Sequence, residues 1–383
     1  MLTSSSAVLS LLLLLQPTTM TSPPAPTTAP DVDYLRYTDR VDQFASAADF
    51  AAGTLKGVAI NGDHVELALP ASDTSYPRMG TWTSQELSTP FAFTELLATF
   101  NATFPARTGV VLETRVKVGE AWSPWLYFQS WGQTLTPPAR VNKFEQGEVE
   151  VDILELKAPA SAYQLRVTLQ SFSHDTAVSP LLRRASVCYS GDTGSPPYRQ
   201  PLPADLNWAR DLGVPFRPQG DASVPKPLWS QICSPTCTTM VMEHFGKNLP
   251  TLDNAEAIFD PHYDMFGNWG RAVSRAGEQG FDAYLIRVRS LDDAKKYVAA
   301  GQPLIASIQF KKGEVEGFLY PQTAGHLIVI RGFTADGDAI VNDPASREKG
   351  NGVIYKAAEL EKAWFRPGGV AYVIRHATAG GAR

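Results

Sequence analysis

The stretch Cys233-Ser-Pro-Thr-Cys-Thr-Thr-Met-Val-Met-Glu-His-Phe-Gly246 decides how the second half of the chain folds. Pro235 suits the first turn of a helix, where its missing N–H breaks no intrahelical bond. Met240, Val241 and Phe245 supply apolar positions and Gly246 supplies a stop, so a helix is expected over 234–245. A cysteine at the mouth of such a helix lies beside unpaired backbone amides and the positive end of the helix dipole. Both favour the thiolate, which is the nucleophilic form of the side chain. Cys233 is so placed. Cys237 lies one turn further in and reads as a small buried apolar group.

Downstream, Ser290 is a good cap for a second helix that ends at Gly301. Strands are expected over 304–310, 327–333, 339–342 and 370–374, with Asp336-Gly337 as a hairpin signal between the middle two. The order predicts an α+β domain in which a thiol-bearing helix precedes an antiparallel sheet bearing a histidine. A thiol nucleophile needs a histidine base and a third group that fixes its tautomer. Of the six histidines, His64 and His174 fall in the N-terminal part and His376 in the C-terminal tail. His244 reads as a surface residue of the helix, and His262 sits in a loop without an evident orienting partner. His326 opens the apolar run Leu327-Ile-Val-Ile330 and is the best candidate. Asp343 ends the next strand and is the candidate orienting group. A tight turn at Asp336-Gly337 would set Asp343 opposite Ile330, about 13 Å from His326 along extended chain. The pattern therefore permits the contact without requiring it, and Asn342, or a capping role for Asp343, remains open.

Upstream, Tyr163, Leu165, Val167 and Leu169 alternate with Gln164, Arg166, Thr168 and Gln170, and Leu112, Thr114, Val116 and Val118 alternate with Glu113, Arg115 and Lys117. Period two marks strands with one buried face, and Pro and Gly turns between them predict an all-β sandwich over 31–189. Trp82, Trp122, Trp125, Tyr127 and Trp131 are expected chiefly in its core. Exposed, the same rings would make a platform for a glycan or cell-wall polymer. The Pro-, Gly- and Ser-rich stretch 190–203 reads as a linker, and 204–383 as the α+β domain. Residues 1–30 hold an apolar run from Ala7 to Leu15 and then Pro, Thr and Ser. They read as a signal peptide, although no Lys or Arg precedes Arg36.

The 383 residues are 44% hydrophobic and 19% charged, as in a soluble globular protein. No later run approaches the length of a membrane span. A net charge of -5 gives no basic field for nucleic acid or anionic lipid. The cysteines number three, Cys188, Cys233 and Cys237, so at least one thiol stays unpaired. Cys233, Cys237 and His244 on one helix offer three metal ligands without a fourth, and neither metal nor cofactor is expected.

The Cys233–Gly246 stretch resembles the cysteine helix of the C-39-like cysteine peptidases, relatives of the double-glycine leader peptidases of bacteriocin exporters. Gly325-His326-Leu-Ile-Val-Ile-Arg-Gly-Phe333 and Val341-Asn-Asp343-Pro-Ala345 resemble that family's histidine and aspartate motifs, in the right order. Gly267-Asn-Trp269 and Ala300-Gly-Gln-Pro303 match between them, and the resemblance spans 212–374. The N-terminal part resembles the domain often joined to such peptidases in exported bacterial proteins. The resemblance implies a papain-like fold, a Cys233–His326–Asp343 triad acting on a peptide or protein substrate, and an oxyanion donor upstream of the nucleophile. Val214-Pro-Phe-Arg-Pro-Gln219 resembles that last element, which points to Gln219. The segment between Gln219 and Cys233 is longer than in the exporter peptidases. Gln231 competes, and a papain-style spacing would pair it with Cys237. The transporter segments of the exporter enzymes have no counterpart here, so leader cleavage is not carried over. An amidase or transpeptidase with the same Cys–His chemistry, and an inactive binding protein on the same fold, remain the alternatives.

Overall fold

The computed structural model describes residues 34–69, 76–135 and 140–377. The leader at 1–30 lies outside them. Among the described residues the strands form two hydrogen-bonded sheets, of thirteen and six strands, and the helices are few and short. The chain is mostly β.

The thirteen-stranded sheet is built on two long strands, Leu87–Thr103 and Ile153–Ser171. The first part of Ile153–Ser171 pairs with Leu87–Thr103, with shifts of register near Ala160. Its last part pairs with Thr108–Val118 on one side and Arg78–Thr83 on the other. One strand thus joins both sets of partner strands into a single hydrogen-bonded network. The alternation read from the sequence is the inward face: Tyr163, Leu165, Val167 and Leu169 are fully buried, and Leu112 and Thr114 lie opposite Val167 and Leu165.

Trp82 and Trp131 are core residues of this region. Trp122 and Trp125 are half-buried, and the Arg115 guanidinium lies 4.7 and 4.8 Å from their ring centres. Arg166 adds a second contact to Trp125 at 4.4 Å, and Arg140 covers Tyr127 at 4.7 Å. These rings are engaged within the molecule, and a glycan platform finds no support. Strand Leu181–Asp192 runs three residues into the expected linker.

The second sheet runs in the order Phe281–Arg287, Val370–His376, Leu304–Phe310, Thr323–Phe333, Ala339–Asn342 and Val353–Tyr355, all neighbours antiparallel. One face carries Ile305, Leu327, Val329 and Tyr372 against helices Cys233–His244 and Trp269–Glu278. The other carries Leu304, Ile308, Ile328 and Ile330 against helices Leu291–Ala299 and Ala357–Phe365. The helix expected from Ser290 forms with that residue as its cap, its side chain accepting from the Asp293 N–H.

The hairpin departs from expectation in a way that decides the site. Its turn is five residues long, closed by Thr334 N–H to Asp338 O and Gly337 N–H to Thr334 O, with Gly337 at φ 88°. Phe333 therefore pairs with Ala339, one residue off the tight-turn register, and a bulge at Arg331 shifts it again, so that Val329 pairs with Asn342. The expected pairing of Asp343 with Ile330 is corrected by two residues, halving the gap to about 7 Å of extended chain, which side chains can close. His326 also lies within its strand, which begins at Thr323, rather than just before it.

Candidate active site

Cys233 opens a helix that is buried from Ser234 to Met242. A helix so enclosed must satisfy its own polar side chains. The hydroxyls of Thr236, Thr238 and Thr239 bond back to the carbonyls of Ile232, Ser234 and Pro235, and Ser234 Oγ meets Tyr372 OH at 3.0 Å. The helix stops at Gly246, whose φ of 88° only glycine adopts readily. Cys233 itself is half-buried.

The Cys233 thiol lies beside the His326 ring, whose charge and hydrogen bonding act on it. His326 Nε2 lies 2.9 Å from Asp343 Oδ1, both side chains buried. Since Nε2 faces the carboxylate, Nδ1 is the nitrogen left for the thiol. Asp343 is saturated: Oδ1 also accepts from the Ala345 N–H at 3.0 Å, and Oδ2 accepts from Tyr320 OH at 3.0 Å and Tyr355 OH at 2.6 Å. The Tyr320 ring meets the His326 ring edge-on at 5.2 Å. These two tyrosines are residues that the sequence did not announce. One lies in the irregular stretch before the histidine strand, the other in the three-residue strand Val353–Tyr355.

The electrostatics follow from this geometry. Burial pushes the Cys233 thiol up, but the His326 charge and hydrogen bond, with backbone hydrogen bonds from Leu327 and Ser234, bring it below its ordinary value. Burial likewise disfavours charge on His326, yet Cys233 and Asp343 raise its pKa to about 10. Asp343 is held below the usual carboxylate range, because His326, Tyr355 and the Ala345 N–H outweigh its burial. The arrangement favours a thiolate–imidazolium pair.

Cys237 is the contrast. It is fully buried, its Sγ lies 3.2 Å from Leu327 O, and burial beside Cys233 and Asp343 raises its pKa well above normal. Cys188 is buried too, and burial pushes its thiol up to about 12. His244 is half-buried rather than exposed, packed edge-on against Phe245. It lies eleven residues beyond Cys233, or about 16 Å along the helix, too far to share a metal ion with that thiol. No metal-ligating cluster occurs among the described residues.

Gln219 is buried. Its N–H donates to Pro344 O, next to Asp343, and its side-chain Nε2 donates to Trp229 O at 2.5 Å, four residues before Cys233. Gln231 is exposed and donates to Pro227 O. An exposed Gln231 and a fully buried Cys237 do not make the papain-style pair that spacing alone allowed.

Residues 211–372 match the model of the peptidase C39-like family, and residues 40–190 match that of the peptidase C39 N-terminal domain. No curated protein matches the chain. Similar solved structures include a double glycine motif protease from an AMS/PCAT transporter in complex with the leader peptide, at 19% identity over 46% of this chain and 100% of that one, TM-score 0.31. A C39-like peptidase from Bacillus anthracis shares 16% identity over 44% of this chain and 97% of its own, TM-score 0.33. The peptidase domain of Streptococcus ComA, a bifunctional ABC transporter, shares 16% over 43% and 99%, TM-score 0.30. With both segments matched in succession, the chain belongs to the C39-like peptidase family.

Proposed function

We propose that the protein is an exported cysteine peptidase that hydrolyses peptide or amide bonds through Cys233, His326 and Asp343. The observation that carries the proposal is a half-buried cysteine at a helix mouth, beside a histidine whose Nε2 is fixed at 2.9 Å by a buried carboxylate. The Cys233 thiolate attacks the scissile carbonyl, and the imidazolium of His326 passes its Nδ1 proton to the leaving amine. Water then gives a proton to Nδ1 and attacks the thioester, which expels the acid and restores the thiolate. Asp343 stays ionised and holds the ring in the orientation both steps need. Gln219, beside the segment leading into the thiol helix, and the backbone N–H of Cys233 are the groups we assign to the developing oxyanion.

Cleavage of a peptide or protein substrate follows from family membership, and its sequence preference is left open. Export is inferred from residues 1–30, and N-terminal sequencing of chain recovered outside the cytoplasm tests it. The catalytic proposal is tested by iodoacetamide labelling of Cys233 and Cys237 across pH, read by peptide mass spectrometry. Cys233 is expected to react quickly well below the usual thiol range, and Cys237 to stay silent. Ordinary titration of Cys233 would instead indicate an inactive binding protein on this fold.

A further inference from the structure

Among the described residues, the N-terminal region meets the peptidase region along a seam of buried polar contacts, chiefly on helix Trp269–Glu278 and on strand Phe281–Arg287 with the Arg289 that follows it. Helix Trp269–Glu278 is held at both ends by side chains from the N-terminal region. At its start, Asp152 Oδ2 and Oδ1 accept from the N–H groups of Trp269 and Gly270 at 2.8 and 3.0 Å. At its end, Arg183 donates to Gly277 O at 2.6 Å and Phe281 O at 3.3 Å. Between them, Gln129 Nε2 donates to Ser274 Oγ at 3.1 Å. At Gly277 the approach is close enough to require glycine, since a Cβ there would lie 2.7 Å from Asn101 Cβ and 2.8 Å from its Cα.

The second element is strand Phe281–Arg287, an edge of the six-stranded sheet. An open edge is a liability unless something covers it. The fully buried Asn101 does so with its side chain, donating to Ala283 O and accepting from Ala283 N–H, both at 2.9 Å. Arg184 pairs with Asp282 at 2.7 Å, Glu95 with Arg287 at 2.5 Å, and Asp39 with Arg289 through two hydrogen bonds of 2.7 and 2.8 Å.

The held helix leads back to the nucleophile. Arg275, on that helix, donates from Nε to Asn254 Oδ1 at 3.1 Å. Asn254 is fully buried, and its Nδ2 donates to Pro235 O at 3.1 Å and Thr239 Oγ1 at 3.0 Å, within the first two turns of the Cys233 helix. We propose that the N-terminal region is the positioning half of the active site: it fixes helix Trp269–Glu278, and through Arg275 and Asn254 fixes the thiol helix against His326. This gives the region a role in catalysis without contact with substrate, and rests on the reading of Cys233 as nucleophile. Arg183, Asp152, Asn101, Arg275 and Asn254 are positioning residues in this account.

The test uses the full chain with a specific protease site inserted between Gly194 and Ser195, which are exposed. After cutting, the two pieces are expected to co-elute on gel filtration, with the Cys233 labelling profile of the uncut protein. Asp152→Ala with Arg183→Ala in the cut chain should release the pieces, slow Cys233 labelling at pH 6–7 about tenfold or more, and open buried Cys237 to reagent. Arg275→Met breaks the relay without touching the seam and should slow Cys233 labelling while the pieces stay together. Pieces that separate with the Cys233 profile unchanged would overturn the proposal, as would an unchanged profile in Arg275→Met. Sluggish Cys233 in the uncut wild-type chain would instead sink the nucleophile assignment itself, so the two failures are distinguishable.

Discussion

The thiol site and the seam are both clusters of charge withdrawn from water, and they differ in what is left unsettled. Along the seam the ion pairs are arginines facing carboxylates, Arg184 with Asp282, Arg287 with Glu95 and Arg289 with Asp39, while Asp152, whose pKa burial raises to about 7, faces backbone N–H groups instead. An arginine does not release its proton, so these pairs share none. In the site, Cys233 and His326 share a proton that can sit on either, and the balance is set by neighbours pulling against burial. Buried charge alone therefore does not mark function here. In the proposed site the assignment rests on a proton with two available seats, one of them on a half-buried cysteine.

The comparison breaks most simply if the thiol proves dispensable. Cys233→Ala should remove turnover, a fall of about 10⁴-fold or more, with the unfolding transition unmoved. Cys237→Ala should keep most of the activity, since that thiol is buried and points at a backbone carbonyl. His326→Ala in the same assay sharpens the point. It takes away the charge and hydrogen bond that lower the Cys233 pKa and leaves burial, which raises it, so labelling should shift to higher pH. Activity that survives Cys233→Ala and vanishes in Cys237→Ala would exchange the two roles.

The seam should respond in stability instead. Arg184→Ala removes the 2.7 Å partner of the Asp282 carboxylate, with side chains only 8% and 7% exposed, and leaves Arg183 at 4.0 Å. Breaking one partner of such a buried pair costs about 3–5 kcal/mol. Arg184→Leu with Asp282→Leu should recover much of that, because the weakly compensated buried carboxylate is then gone as well. Chemical denaturation measures both. A single variant that costs little would mean that water reaches the pair and the seam is looser than its burial indicates.

Gln219→Ala comes next in size. A lost oxyanion donor typically lowers kcat by about 10²–10³-fold, and here KM should change little. The same loss in Gln231→Ala, with Gln219→Ala silent, would move the oxyanion role to the exposed residue.

How much of this was legible in the sequence depended on distance along the chain. The thiol helix, its Gly246 stop and the strands after it declared themselves within short windows, through periodicity and cap chemistry. The contact of His326 with Asp343 did not, because it hangs on a five-residue turn and a bulge at Arg331 that no residue pattern announced. The seam was further out of reach. Asn101 and Ala283 are 182 residues apart, and nothing in an asparagine within an alternating strand says that it will cover the edge of another sheet. The aromatic run was ambiguous for a related reason: whether a tryptophan stacks on a ligand or on Arg115 is a tertiary fact.

The smallest predicted effect concerns the residues that the sequence hid. Tyr355 donates to Asp343 Oδ2 at 2.6 Å from a fully buried position, with Phe318 stacked on its ring at 4.1 Å. Its hydroxyl helps hold Asp343 below the carboxylate range, so Tyr355→Phe should raise that pKa while leaving the packing intact. The sign follows directly. Asp343 orients His326 only when ionised, so the acid limb of the kcat/KM profile should move to higher pH. Tyr320 still donates to the same oxygen at 3.0 Å, which limits the loss to one hydrogen bond to a charged group, about 1.5–3 kcal/mol at most. With the remaining partners compensating, kcat near neutrality should fall about five- to tenfold. Tyr320→Phe should give a similar shift, and the double variant more than the sum of the two, since Oδ2 would then be buried without a donor. A Tyr355→Phe enzyme with reduced kcat but an unmoved acid limb would show that the residue acts through packing alone. The saturation of Asp343 would then be structural, as at the seam, and the difference between the two clusters would narrow to the thiol and imidazole themselves.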